Sequence, residues 1–171
     1  MSCIVYAAMK MTGRDKVEQV KRSHHISNTG KRLGITVISP VIEENVKATP
    51  GKLTNKDKPR LKTFWERDKD IIRYEAHVVL LDHAEMKSFG MEREYMLNRG
   101  VLWKPTVMVV KPGTSISVAE FEDDAVFYSV EEAFKFINQK WGTRWKRWKW
   151  RSKMINRSLP KFLKDQLYAW R

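Results

Sequence analysis

Five short apolar runs, each of strand length, recur along the chain and are separated by charged segments long enough to be helices. They are CIVYAA (Cys3–Ala8), ITVIS (Ile35–Ser39), HVVLLD (His77–Asp82), PTVMVV (Pro105–Val110) and AVFYS (Ala125–Ser129). Strands that are continuously apolar, rather than alternating, need cover on both faces, which is the signature of a parallel sheet between helices. The intervening segments supply that cover. A charged helix is predicted from Asp15 to Leu33, stopping at Gly34. A second runs from Pro59 to Glu75, with proline suited to its first turn. A third spans Ser88 to Gly100, and an amphipathic fourth Val130–Trp141. Residues 44–59 are polar, carry Pro50, Gly51 and Pro59, and read as a long loop. The pattern predicts βαβ crossovers and a three-layer α/β sandwich. In such open sheets ligands bind outside the carboxyl ends of the strands, which directs attention to the residues after Ala8, Ser39, Asp82 and Val110.

The charge is unevenly distributed. The chain of 171 residues carries a net charge of +13, and residues 139–171 alone hold 11 Lys/Arg against one acid, Asp165. Five of the seven tryptophans (Trp141, Trp145, Trp148, Trp150, Trp170) fall in the same stretch. The division expected is therefore a nearly neutral α/β domain over residues 1–141 and a basic, Trp-rich helical extension over 142–171. No run approaches the roughly 18 uncharged apolar residues of a membrane span, so no transmembrane segment is expected. The N-terminus has no basic region ahead of its apolar run and reads as a first strand, not a signal peptide. The single cysteine, Cys3, excludes an internal disulfide framework and a Cys-rich zinc site. It reads as a small buried hydrophobe, and a reducing, cytoplasmic setting is expected.

Two carboxylates stand out. Leu61, Phe64, Trp65, Asp68, Ile71 and Ile72 follow the spacing of one buried helical face, so Asp68 lies within an apolar stripe. Loss of hydration there raises a carboxyl pKa and makes a functional acid; the alternative is a structural Asp that caps a loop or pairs with a nearby Arg. The second carboxylate lies in Ser88-Phe89-Gly90-Met91-Glu92-Arg93-Glu94, after the third strand. Ser88 suits an N-cap, Gly90 allows close backbone approach, and free N–H groups at a helix start attract anions. Glu94 follows on the same helix, within reach of a group held at that start. Asp82, at the end of the third strand, either contacts a ligand or caps the next loop. His24 and His25 read as solvated, and His77 as a packed or edge histidine. With no second ligand at suitable spacing, neither metal nor other cofactor is expected.

These residues together resemble the nucleoside 2-deoxyribosyltransferase-like family, whose members have a flavodoxin-like fold and cleave or exchange N-glycosidic bonds of nucleosides or nucleoside monophosphates. Ile4-Val5-Tyr6-Ala7-Ala8 matches the family's first-strand Tyr. Asp68, followed by Ile72 and Ala76-His77-Val78-Val79, matches the Asp ahead of the third strand. Ser88-Phe89-Gly90 with Glu94 matches the motif after it, and Lys104-Pro105 fits the opening of the fourth strand. The resemblance covers residues 3–110. Met9 and His77 depart from the pattern, and Ser88 replaces the Asp of nucleoside-specific transferases. That serine resembles the nucleoside 5′-monophosphate N-glycosidase branch, in which Lys10, Thr12 and Gly13 also lie where phosphate is held.

The resemblance implies that Glu94 attacks C1′ of the sugar, Asp68 protonates or hydrogen-bonds the departing base, and Tyr6 orients Glu94 or the sugar. Two carboxyls in unlike environments suit that division of labour. Hydrolysis of a nucleoside monophosphate is the leading expectation. Base exchange, or a non-catalytic protein that binds nucleotides or nucleic acid, are the alternatives. Family members commonly complete their sites across a subunit interface, so a homo-oligomer is expected. In the extension, Trp141, Trp145 and Trp148 fall at i, i+4, i+7 among Arg144, Arg147 and Arg151. Such interleaving suits nucleic acid, an anionic surface or an acidic partner; packing of the tryptophans on the body or on a second subunit is the competing reading.

Overall fold

The computed structural model describes residues 2–9, 13–43, 46–47, 50–52, 61–83, 94–102, 104–113 and 125–141. Its centre is a sheet of five strands: β1 (Cys3–Met9), β2 (Ile35–Ile38), β3 (Val78–His83), β4 (Thr106–Val110) and β5 (Ala125–Phe127). They pair in the order β2-β1-β3-β4-β5, and every pairing is parallel. This is the flavodoxin-like order, in which the connections leave β1 and β3 in opposite directions and open a crevice at the strands' carboxyl ends. All five expected strands are present, with ends that move by one or two residues.

Helices cover both faces: α1 (Lys16–Arg32), the single turn α2 (Pro40–Glu43), α3 (Leu61–Asp70), α4 (helical residues 94–101) and α5 (Val130–Trp141). On the first face Val5, Ala7, Val78, Leu80, Val107 and Val109 pack with Ile26 of α1 and Phe134 and Ile137 of α5. On the second, Tyr6, Ala8, Val79, Leu81 and Met108 pack with Ile71 and Ile72 after α3 and Leu97 of α4. The period-two alternation of the strands thus divides the interior into two cores.

The N-terminus of α1 is closed by its own surroundings. The Glu18 N–H donates to the Asp15 carboxylate at 3.0 Å, and the Lys16 N–H to the Gly51 carbonyl at 3.0 Å. The described middle of the long polar loop therefore returns to the carboxyl edge of the sheet, where the main chain of Lys52 also forms an isolated antiparallel bridge with that of Asp15. At the other end of α1, Gly30 lies against β2; a Cβ there would come within 2.4 Å of Val37 Cγ2.

Two features were not apparent in the sequence. Pro40 does not simply close β2: Ser39 accepts from the N–H groups of Ile42 and Glu43, and Pro40–Glu43 form a helical turn. More consequential, both helices of the second face end in a widened π turn, Ile71–Glu75 after α3 and Leu97–Val101 within α4. Each is closed by an i→i+5 bond, Ala76 N–H to Ile71 O at 2.8 Å and Leu102 N–H to Leu97 O at 3.1 Å. Single π turns are uncommon and concentrate at functional sites. The expected extension over 142–171 lies outside the described residues. Among those described, no helix is long and apolar enough to cross a membrane.

Candidate active site

Tyr6 occupies the middle of β1, in register with Val79 of β3, and its side chain is wholly buried in the second core. Its hydroxyl donates to Glu94 Oε1 at 3.0 Å. That bond joins a central strand to a helix 88 residues away and fixes the carboxylate over the sheet. Burial raises the Tyr6 pKa well above the ordinary phenol value, and the charges of Glu94 and then Asp68 raise it further. Tyr6 therefore keeps its proton through the physiological range and acts as a donor. A donor held this way favours the ionised form of Glu94, which is the form a nucleophile needs.

Asp68 lies on α3 on the same side of the sheet and is 7% exposed, so the expected burial is present. Its Oδ1 accepts from Arg67 Nη2 at 2.8 Å. The sequence left two readings open, a desolvated acid and an Asp paired with a nearby Arg, and the structure shows both the burial and the Arg pair. Burial favours the neutral acid, whereas the adjacent cation favours the carboxylate, so the two act against each other. Tyr6 senses the charges of Glu94, Asp68 and Arg67 together, which brings these four side chains into one electrostatic neighbourhood.

Of the other expected site residues, Asp82 and Gly13 are described. Asp82 pairs in register with Met9 at the carboxyl end of β3 and is 7% exposed. By the alternation of β3 it belongs to the face of Val78 and Leu80, opposite Tyr6. There both its oxygens accept from Arg22 of α1, Oδ2 from Nε at 2.7 Å and Oδ1 from Nη2 at 2.8 Å. The fork raises the Arg22 pKa, so the pair stays charged. Gly13 stands in the turn before α1 with φ +81°, a conformation that glycine adopts without strain. Lys10, Thr12, Ser88 and Gly90 lie outside the described residues.

His77 behaves as an edge histidine: its ring Nδ1 accepts from the Ile4 N–H at 3.0 Å while its main-chain N–H donates to Ile4 O at 2.8 Å. His24 and His25 are exposed on α1, and Cys3 is buried. Arg22 was missed as a partner, whereas Arg67 is the nearby Arg of the alternative reading of Asp68. Arg67 stands beside Asp68 in the sequence, but the Arg22–Asp82 fork joins positions 60 apart and needs the fold to be seen.

No family model matches this sequence, and no curated protein matches it. Among solved structures, the fold is similar to that of a 2-deoxyribosyltransferase from the psychrotolerant bacterium Bacillus psychrosaccharolyticus, described as a biocatalyst for the synthesis of antiviral and antitumoral nucleosides. The match has a TM-score of 0.58 at 18% identity and covers 76% of this chain and 89% of that one. At that identity the likeness establishes the shared α/β architecture.

Proposed function

We propose that the protein is an enzyme that cleaves the N-glycosidic bond of a nucleoside or deoxynucleoside 5′-monophosphate. The observation that carries the reading is the bond from buried Tyr6 to Glu94, with Asp68 in the same field, on a fold shared with a 2-deoxyribosyltransferase. In the first step a Glu94 oxygen bonds to C1′ as the C1′–N bond breaks. The electron pair leaves with the base, which Asp68 protonates or steadies by a hydrogen bond. In the second step water attacks C1′ and gives its proton to the Asp68 carboxylate left by the first step, as the C1′–Glu94 bond breaks and frees Glu94 and the sugar phosphate. A second base in place of water would give exchange by the same intermediate. Tyr6 keeps Glu94 ionised and aimed.

Ser88, Gly90, Lys10, Thr12 and Gly13 are assigned to the phosphate, with Asp82 and its Arg22 at the neighbouring edge. A homo-oligomer, and an acidic or nucleic-acid partner for residues 142–171, belong to the same proposal. The first tryptophan of the basic region already packs: Trp141 meets the Phe136 ring edge-on at 5.4 Å, with Lys140 Nζ 5.0 Å from the Phe136 centroid.

The test is incubation with a panel of ribo- and deoxyribonucleosides and their 5′-monophosphates, with chromatography for free base. Release from monophosphates, lost in Glu94→Gln, is expected. Glu94→Gln turnover within about tenfold of wild type, roughly 1.4 kcal/mol of barrier, removes the nucleophile role. Equal turnover of a nucleoside and its monophosphate removes the phosphate assignment.

A further inference from the structure

Lys104 lies just ahead of β4, at the edge of the sheet opposite the proposed site, and is 6% exposed. Its ammonium donates to three main-chain carbonyls, Ile72 O at 2.5 Å, Arg73 O at 2.8 Å and Ala76 O at 2.8 Å. These belong to the π turn that ends the Asp68 helix and to the residue after it. A helix end leaves carbonyls without partners inside the helix, and a buried cation satisfies them and complements the helix dipole. Burial lowers the Lys104 pKa to about 8, so the ammonium persists at neutral pH.

The same residue is bound to the other helix through its main chain. The Lys104 N–H donates to Asn98 O at 3.2 Å, and the Asn98 side-chain amide donates back to Lys104 O at 3.2 Å. That amide also reaches Pro105 O at 3.2 Å and Thr106 Oγ1 at 2.8 Å. Asn98 stands inside the π turn of the Glu94 helix and is wholly buried. The two helices are alike in one more respect. Asp68 precedes Ile71, the first residue of its π turn, by three positions, and Glu94 precedes Leu97 by the same three.

We infer that Lys104, with Asn98, is a positioning residue that ties both carboxylate-bearing helices to the start of β4 and so sets the placement of Asp68 relative to Glu94. The inference rests on the reading of those two carboxylates as the reacting pair. The clamp touches neither of them; it acts through the last turn of each helix. One residue gripping both helices makes their placements dependent on each other. Separate caps would leave them independent.

The test uses Lys104→Met, which keeps length and removes the donors, and Asn98→Ala, which leaves the Lys104 side chain in place. Amide hydrogen exchange at pH 7 on the full chain is the first readout. Lys104→Met should quicken exchange at Ile72–Ala76 and also at residues 94–101. Asn98→Ala should quicken 97–101 and also 72–76. Effects confined to the mutated side in both variants overturn the clamp; should Lys104→Met not fold, Asn98→Ala alone decides by the same criterion. Turnover is the second readout: kcat lowered tenfold or more with KM within twofold marks misplacement of the reacting groups, whereas unchanged kcat in a folded variant overturns the positioning role. A wild-type chain that releases no base from any monophosphate defeats the proposed activity, while the exchange result still decides whether the clamp exists.

Discussion

Replacing Tyr6 by Phe isolates the hydroxyl that the proposed chemistry depends on. The ring is wholly buried among Ala8, Ile72, Val79 and Leu81, so Phe fills the same volume and the core remains packed. What disappears is one bond of 3.0 Å to a carboxylate. A hydrogen bond to a charged group contributes about 1.5–3 kcal/mol, and its loss disfavours the ionised carboxylate. The acidic limb of the kcat/KM profile for base release should therefore move to higher pH. At neutral pH kcat should fall about 10- to 100-fold, the equivalent of the same energy in the barrier. A second signature comes from stability. The folded Tyr6 pKa is raised, so its contribution is complete below the unfolded value near 10 and is lost as pH climbs through the folded value. Tyr6→Phe should lack that alkaline loss. Steady-state kinetics from pH 4 to 9 and urea unfolding from pH 9 to 11.5 provide the two curves. An acidic limb unmoved in Tyr6→Phe, with kcat within twofold of wild type, refutes the reasoning.

Lys104 gives the opposite slope over a lower window. Its pKa is lowered to about 8 from 10.5, so between those values the unfolded chain holds a proton that the folded chain has released. Stability from this group rises with pH across that window, by up to about 3 kcal/mol and by less where the three carbonyls retain the proton; the difference from Lys104→Met in urea titrations should change there and be flat below. Gly30→Ala should destabilise: the added methyl meets Val37 Cγ2 at 2.4 Å, an overpacking cost of about 1–3 kcal/mol against about 1 kcal/mol gained in helix propensity, readable as a fall in Tm. Removing residues 142–171 should weaken binding to single-stranded nucleic acid and flatten its salt dependence while sparing turnover of free nucleotides; a truncated chain that binds as tightly as the whole defeats the partner assigned to that segment.

The sheet was legible because a strand buried on both faces leaves a continuous apolar run, as β1, β3 and β4 do; the half-buried β2 and β5 were read from their shorter apolar runs. Asp68 was legible for a different reason, as a charged group within an apolar helical stripe, while Glu94 was read from the Ser88/Gly90 helix start and Tyr6 from the family resemblance. The sequence could not tell which face of β3 Asp82 takes relative to Tyr6. Both stand near the carboxyl edge, but alternation from Val78 puts Asp82 under α1, where Arg22 holds it. The π turns left no trace, since Ile71-Ile72 and Leu97-Asn98 suit an ordinary α-helix equally well. Both meet Lys104, which bonds to carbonyls of the first turn and through its N–H to Asn98 O of the second, contacts that exist only once β4 has entered the sheet.

The two π turns have a consequence for how such a chain can diversify. Each carboxylate is indexed from the downstream end of its helix, Asp68 from Ala76 and Glu94 from Leu102, where the widened turns close. A change elsewhere in the chain that spares both closures leaves Asp68 and Glu94 at the same distance along their helices. Descendants of one such ancestor could therefore diverge widely in sequence while inheriting the two acids unaltered. Trimming a single residue from 71–75 or 97–101 would instead turn one acid away from the sheet, so conservation of length should be strictest in these two five-residue stretches.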